Sequence, residues 1–191
     1  MFAPSMADLR LPGKFAKSLA GRDINPSQLT VEITEDLFLD NMDRTKTVLN
    51  QLQDNGIRIA IDDFGSGYSA LSYMRDLTVD EVKLDRNFIA PIPDDQRAAA
   101  VVRAVVNLAD ELGLTTVAEG IENAGTADWL RQHGCHIGQG YYFSPPLASD
   151  KLVEILKKCQ SDGTCQTLGC SVREGSCRWA DSDVPQIELM R

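Results

Sequence analysis

The sequence predicts an α/β fold, built as a partial barrel of the TIM (β/α) type. Three times an amphipathic helical segment runs through a glycine into a short apolar stretch, which is the repeat of a βα unit. The glycines are Gly56, Gly113 and Gly134. Two more strand-like segments, residues 29–34 and 81–85, are each followed by a helical pattern. We therefore expect about five βα units.

Alternation along the predicted strands favours a barrel wall over an open, doubly wound sheet. In the first strand Val31 and Ile33 oppose Glu32, because successive side chains of a strand point to opposite faces. An open sheet with helices on both sides would make both faces apolar. One apolar and one polar face fit a barrel, in which the apolar face meets the outer helices and polar groups gather inside.

The clearest helix is expected at residues 94–112. Apolar residues repeat there every three or four positions, which is the spacing of one helical face. They are Val101, Val105, Leu108 and Leu112. These four side chains form one stripe along the predicted helix.

Composition limits the classes of function. The net charge of −9 and the isoelectric point near 4.7 argue against a broad basic surface for duplex nucleic acid. No apolar run approaches the roughly 20 residues that span a bilayer, and the first residues lack a secretory signal pattern. We therefore expect a cytoplasmic protein without a membrane segment.

The last part of the chain loses the βα pattern. Residues 159–191 are rich in Gly, Ser, Asp and Cys, a composition typical of loosely ordered segments. The cysteines there match no zinc-binding spacing, so we interpret them as reduced thiols. We divide the chain into a barrel domain at residues 1–158 and an irregular tail that we expect to be disordered.

Acidic residues stand at the ends of several predicted strands. They are Glu32, Glu35, Asp62, Asp63, Asp85, Glu119 and Glu122. Because the carboxyl ends of parallel barrel strands meet at one mouth, we expect these side chains to converge. Hard oxygen ligands favour Mg²⁺ or Mn²⁺, or Ca²⁺, over zinc. Two such ions can stabilise a phosphoryl displacement, and Lys83 could position or deprotonate the attacking water.

Five segments resemble, in order and spacing, the successive motifs of the EAL family of cyclic di-GMP phosphodiesterases. They are VEITE at 31–35, IDDFGSGYSAL at 61–71, VDEVKLDRNF at 79–88, VAEGIEN at 117–123 and GCHIGQGYYFSPPL at 134–147. The resemblance implies a TIM-type barrel that binds cyclic di-GMP and hydrolyses it to the linear dinucleotide. It also implies a two-metal site for Mg²⁺ or Mn²⁺, at which Ca²⁺ could act as an inhibitor.

Matched positions imply the members of the metal site. Glu32 would be a metal ligand, and Asp62 would bridge both metals. Asp63 would bind the second metal, with Asp85 beside it. Lys83 would act on the nucleophilic water.

Other matched positions imply roles in catalysis, at the substrate and at a dimer surface. Glu119 would bind or orient water at the metals, while Glu122 and Gln139 would line the mouth near the substrate. Glu35 would brace a loop at residues 63–69 that forms part of the site and of the family's dimer surface. We expect a homodimer or another form of self-association.

The opening segment of the family has no counterpart in this sequence. The Glu-Ala-Leu segment, whose Glu binds a metal, and the Asn ligand of the second strand are absent. We therefore expect the first two βα units to be missing and hydrolysis to be impaired. Open sheet edges would also favour association with other chains.

Two other functions stay open at this point. The chain could be a catalytically inactive module that binds cyclic di-GMP or a partner protein. It could also be a barrel metalloenzyme of another chemistry, such as enolate formation, in which Lys83 would act on carbon.

Each candidate residue also has a purely structural interpretation. Asp62 and Asp63 could cap a following helix, and Glu122 could open the next one. Lys83 could form a structural ion pair with Asp85 or Glu81, which is compatible with a role at the attacking water. Arg86, at a strand end, could contact a substrate phosphate, although arginine in such a position is usually solvated.

Overall fold

A computed structural model gives the fold of the chain. It describes residues 8–34, 42–65 and 78–162, and the backbone of residues 171–173 and 176–178. The chain divides into two compact units, residues 1–83 and 84–191.

The first unit holds the predicted βα pattern from its first strand onward. Its elements are helix α1 (Leu11–Ala20), a 3-10 turn (Pro26–Gln28), strand β1 (Thr30–Thr34), helix α2 (Met42–Asp54), strand β2 (Arg58–Phe64) and strand β3 (Glu81–Leu84), whose last residue belongs to the second unit. Asn25 caps the 3-10 turn by accepting a hydrogen bond from the Ser27 N–H at 3.1 Å. Gly56, at φ 80°, follows α2 in the left-handed conformation that ends many helices.

The second unit continues the same alternation of helices and strands. It contains α3 (Arg86–Ile89), α4 (Gln96–Glu111), β4 (Thr115–Ala118), α5 (Ala124–Gln132), β5 (Ile137–Gly138), α6 (Ser149–Asp162), β6 (Ser171–Arg173) and β7 (Ser176–Arg178). Asp95 starts α4 because its carboxylate accepts hydrogen bonds from the Arg97 and Ala98 N–H groups. None of the described helices combines the length and the apolar character that crossing a bilayer requires.

Strands β1 to β5 form one parallel sheet in chain order, which confirms the predicted α/β fold class. In β1, Val31 and Ile33 are buried and Glu32 is exposed, as the alternation predicted. In β3 all four residues are buried, so Glu81 and Lys83 are charged residues inside the molecule. The glycines predicted to end helices, Gly113 and Gly134, have φ of 72° and 85°.

Apolar side chains from strands and helices form the core. Among the largest completely buried residues are Ile33, Leu49, Leu52, Ile59 and Ile61 in the first unit and Leu84, Ile89, Ile92, Ile121 and Leu130 in the second. Removing each such side chain from water stabilises the fold by about 1.5–3 kcal/mol before entropy is counted. The buried strands therefore hold the polar side chains of their ends in fixed positions.

Helix α4 differs from the sequence interpretation in the side that it buries. Of the stripe Val101, Val105, Leu108 and Leu112, only Val105 is buried. The side of α4 that packs inward instead carries the residues Ala99, Val102, Val105, Val106 and Ala109. The helix thus has a second apolar face, which is exposed.

The end of the chain also contains more regular structure than its composition suggested. Helix α6 continues to Asp162, past the expected domain end at residue 158. Strands β6 and β7 pair in an antiparallel manner, with Val172 opposite Cys177. The division into a barrel domain and a tail stays a prediction.

Cys135 is a buried thiol whose chemistry can be predicted from its surroundings. It is 3% exposed, and its Sγ lies 3.4 Å from the Ile137 carbonyl oxygen. Burial raises the pKa of Cys135 to about 11. The thiolate is the form that reacts with alkylating reagents, and at pH 8 it would make up roughly one thiol in a thousand.

We predict that iodoacetamide at pH 8 leaves Cys135 unmodified in the folded protein and modifies it readily in urea. Mass spectrometry of the peptide that contains Cys135 measures this without interference from the other cysteines. Equal rates of modification in the folded and unfolded chain would contradict the buried, protonated thiol.

Candidate active site

A buried lysine joins two carboxylates from neighbouring strand segments in the first unit. Lys83 Nζ lies 2.7 Å from Glu32 Oε1 and 3.2 Å from Asp62 Oδ1. Lys83 is 7% exposed, whereas Glu32 and Asp62 keep partial contact with solvent. The three residues come from β3, β1 and β2 respectively, so the predicted convergence is observed for this part of the acidic group.

The register of the strands explains how Lys83 reaches Glu32. Strand β2 lies between β1 and β3 in the sheet, and its Ala60 pairs with Glu32. Paired residues of neighbouring strands share a face, so the small, buried Ala60 lies beside Glu32 on the polar face. The methyl group of Ala60 leaves space for the two longer side chains to meet above β2. Contacts between alternate strands are typical of the interior of a barrel.

A second group of polar side chains lies two residues earlier on the same three strands. Arg58 Nη2 contacts Glu81 Oε1 at 2.9 Å, and the Thr30 hydroxyl donates a hydrogen bond to the same oxygen at 3.4 Å. Thr30 pairs with Arg58 in the register of β1 and β2. The polar face therefore alternates in charge along the strands, which compensates for burying Glu81.

The Asp62 carboxylate has one oxygen suited to a cation. Asp62 Oδ1 is buried and accepts no hydrogen bond from the described residues; its contact with Lys83 is an ion pair without hydrogen-bond geometry. The Lys83 ammonium, 3.2 Å away, offsets part of the cost of burying this oxygen. Within residues 8–34, 42–65 and 78–162, no three His, Cys, Asp or Glu side chains are grouped as metal ligands. The donors present, all carboxylates, fit a hard divalent ion such as Mg²⁺ or Mn²⁺.

Asp63 has an unusual backbone conformation directly after Asp62. Its φ is 55°, in the left-handed region that few residues other than glycine adopt, although Asp is among the more tolerant. Asp63 is exposed, while Phe64 on its other side is buried. Such strain persists where the surrounding structure imposes it, often at functional sites. The conformation turns Asp63 outward at the end of β2.

In the second unit, Asp85 and Glu119 follow the ends of their strands. Asp85 Oδ1 accepts a hydrogen bond from the Asn87 N–H at 2.8 Å and caps α3. The Glu119 N–H donates to the Leu84 carbonyl at 3.0 Å, which holds the end of β4 beside the end of β3. Asp85 thus has a structural role in addition to the predicted metal-binding one.

Arg86 has a protein partner that the sequence did not indicate. Its Nη2 lies 2.8 Å from Glu122 Oε1. The stem of Arg86 passes over Gly120, where an added Cβ would lie 2.6 Å from the Arg86 Cβ. Gly120 has φ of 68°. The glycine that follows Glu119 was the available signal for this contact, and sequence reasoning did not use it.

The segment that carries Gln139 is fixed by its backbone. The Gln139 N–H donates to the Ala118 carbonyl at 2.8 Å, and the Gln139 carbonyl accepts from the Ile121 N–H at 3.0 Å. A Cβ on Gly140 would collide with the backbone of Ile121. The close approach that Gly140 permits is therefore to the chain itself.

Two predicted features lie outside the described residues. They are Glu35 and the part of the 63–69 loop after Gly65.

Glu122 precedes helix α5, which Asn123 caps by accepting from the Thr126 N–H at 2.9 Å. Glu122 therefore lies before the cap and outside the first turn of α5, and its side chain pairs with Arg86.

A parallel sheet with helices between its strands, and with Glu32 and Asp62 beside the buried Lys83 in the first unit, defines an α/β domain with carboxylates on its strands. The chain belongs to the EAL domain family, whose model matches residues 3–146. EAL domains form TIM-type barrels, in agreement with the predicted fold. The chain is 42% identical over 134 residues to the cyclic di-GMP phosphodiesterase NbdA of Pseudomonas aeruginosa, covering 70% of this chain and 17% of NbdA.

Solved structures show the same similarity. The EAL domain of Mycobacterium smegmatis DcpA superposes with a TM-score of 0.74 at 36% identity, covering 78% of this chain and 67% of that one. A manganese and cyclic di-GMP complex of Klebsiella pneumoniae BlrP1 has a TM-score of 0.67 at 36% identity, covering 70% of this chain and 34% of that one. A calcium and cyclic di-GMP complex of BlrP1 is similar as well.

We predict that Gly120→Ala destabilises the protein more than Gly113→Ala. Both glycines have nearly the same positive φ, 68° and 72°, so the backbone strain of about 1 kcal/mol is common to both variants. Only at Gly120 does the new methyl group meet another side chain, that of Arg86; nothing lies within 4 Å at Gly113. Urea unfolding of both variants measures the difference, and equal losses would show that the Arg86 contact has no energetic weight.

Proposed function

We propose that this chain is an EAL-type phosphodiesterase domain that hydrolyses cyclic di-GMP to the linear dinucleotide. The observation that carries the proposal is the Lys83 ammonium held between Glu32 and Asp62 at neighbouring strand segments. Membership of the EAL family supports it, because relatives such as NbdA are named cyclic di-GMP phosphodiesterases. This chain spans less than a fifth of the length of NbdA, so the activity of the longer protein is part of the proposal.

The proposed metal ligands are the acidic residues at the strand ends, Glu32, Asp62, Asp63 and Asp85. Their hard oxygen donors suit Mg²⁺ or Mn²⁺, and the buried Asp62 Oδ1 lacks a hydrogen bond from the described residues. Bound divalent ions would neutralise the phosphodiester charge and favour attack at phosphorus. The calcium complex of BlrP1 is consistent with Ca²⁺ as a competing, inhibitory ion.

Lys83 is the residue that we propose to position the attacking water. An ammonium that is almost completely buried and contacts two carboxylates has little freedom to move, and fixed positioning lowers the entropic barrier of the reaction. Glu119 is proposed to orient the same water, and Glu35 to brace the loop at residues 63–69.

Three residues of the second unit are proposed to contact the substrate. Gln139 lies on a segment fixed by backbone hydrogen bonds. Glu122 and Arg86 form an ion pair, and the side chains of both residues are at least half-exposed. A nucleotide phosphate could therefore compete with Glu122 for Arg86. A homodimer and a cytoplasmic location belong to the same proposal.

The test is turnover of cyclic di-GMP by the purified chain with Mn²⁺, followed by chromatography of the linear product. We predict that Asp62→Asn lowers turnover by about a hundredfold or more, because the variant loses a charged ligand of the proposed divalent ions. Asp128→Asn is the matched control, since Asp128 is an exposed carboxylate on α5 that pairs with Arg131.

Equal turnover by the Asp62→Asn variant and the unaltered chain would overturn the assignment of Asp62. Saturable binding of cyclic di-GMP with no product from the unaltered chain would instead support the inactive binding module. If the unaltered chain neither binds nor hydrolyses cyclic di-GMP, both functions are contradicted.

A further inference from the structure

We propose that Arg58 is a positioning residue, which holds the buried carboxylate of Glu81 and so keeps it from Lys83. Lys83 is thereby left to its two contacts with Glu32 and Asp62. All five side chains belong to the first unit. The catalytic consequence rests on the proposed function, in which Lys83 positions the attacking water, whereas the contacts themselves can be tested without turnover.

Glu81 is a competing partner for Lys83 on the same strand. The two residues are two positions apart on β3, so their side chains lie on one face of the strand. That separation is roughly 6.6 Å along a strand, which the long side chains of a lysine and a glutamate can bridge. Glu81 is 4% exposed and Lys83 7%, so little water screens the attraction between their charges. An ion pair within β3 would therefore be favourable unless another cation compensates Glu81.

Arg58 supplies that compensating charge from the neighbouring strand. Arg58 Nη2 lies 2.9 Å from Glu81 Oε1, and the Thr30 hydroxyl donates a hydrogen bond to the same oxygen at 3.4 Å. The Glu81 side chain is 5% exposed and that of Arg58 39%, so the guanidinium brings positive charge from a partly solvated position to a carboxylate that water scarcely reaches. A buried carboxylate that is already paired exerts a weaker net attraction on a second cation.

The contacts of Lys83 point the other way along the sheet. Its ammonium lies 2.7 Å from Glu32 and 3.2 Å from Asp62. Glu32 pairs with Ala60 of β2, and Asp62 follows two residues later. Glu81 lies two residues before Lys83, at the start of β3. Pairing with Glu81 would therefore turn the Lys83 side chain back from the strand ends that carry the proposed metal ligands.

Removing one or the other member of the Arg58–Glu81 pair should have different effects on Lys83. Arg58→Met leaves the buried Glu81 carboxylate without its guanidinium, so the Lys83 ammonium is drawn toward it. Glu81→Gln removes the competing charge instead, and Arg58, which is partly exposed, can turn to solvent. A pair that only supported the fold would move Lys83 in neither variant.

A double-mutant cycle between Lys83 and Glu81 tests the contacts without turnover. The free energy of unfolding in urea is compared for the full 191-residue chain, Lys83→Met, Glu81→Gln and the double variant, first with Arg58 present and then with Arg58→Met. We expect the coupling energy to increase at least about twofold in the Arg58→Met series, because Lys83 then pairs with Glu81. An equal or smaller coupling in that series would overturn the proposal.

Two further variants serve this cycle. Arg131→Met is the matched control, since Arg131 is an arginine with a 25% exposed side chain that pairs with Asp128 on α5. It should leave the coupling unchanged, and an increase of the same size there would count against a specific role of Arg58. Circular dichroism checks that each variant is folded. If Arg58→Met is not folded, Arg58→Gln takes its place, because glutamine keeps a hydrogen-bond donor and removes the charge.

Turnover of cyclic di-GMP with Mn²⁺ tests the catalytic consequence. We expect Arg58→Met to lower kcat about tenfold with little change in KM, because a displaced Lys83 affects the reaction and not the binding of the substrate. Arg58→Met combined with Glu81→Gln should recover most of the lost kcat. An unchanged kcat in Arg58→Met, or a loss that the double variant does not recover, would contradict the positioning role.

The two measurements separate this inference from the proposed function. If the unaltered chain hydrolyses no cyclic di-GMP, the proposed function fails, and the cycle still decides whether Arg58 determines the partner of Lys83. If the chain hydrolyses cyclic di-GMP and the coupling is the same in both series, this inference alone fails.

Discussion

The rest of the site depends on one interaction, the buried Lys83 ammonium between the carboxylates of Glu32 and Asp62. Removing an ammonium from water costs several kcal/mol unless opposite charges replace the lost hydration. Strand β3 is buried on both faces, so Lys83 has to find that compensation inside the sheet. It does so above Ala60, whose small side chain permits the contact. The meeting of these three charged side chains thus follows from the electrostatic requirement of one buried residue.

Close backbone contacts have a similar role in the second unit. Gly120 allows the stem of Arg86 to pass directly over the chain after β4, and Gly140 allows β5 to continue against Ile121. These contacts fix the segments that carry Glu119 and Gln139 without using either side chain. Backbone packing therefore determines where these two segments lie.

The sequence predicted the strands, the glycines that end helices and the meeting of Glu32, Asp62 and Lys83, because each depends on local pattern or on strand register. It failed where the answer depends on how elements pack. Periodicity identified an apolar stripe on α4, but the side that packs inward carries small residues, Ala99 and Ala109 among them, that permit close contact. The partner of Arg86 was missed because a contact between the start of α3 and the segment after β4 leaves no periodic signal.

A double-mutant cycle between Lys83 and Glu32 tests the central claim most directly. The free energy of unfolding in urea would be compared for the unaltered chain, Lys83→Met, Glu32→Gln and the double variant. We predict a coupling energy of about 1 kcal/mol or more, since Lys83 is buried although Glu32 is partly solvated. Additive losses, with a coupling of zero within error, would show that the lysine does not hold the carboxylate and would contradict the account.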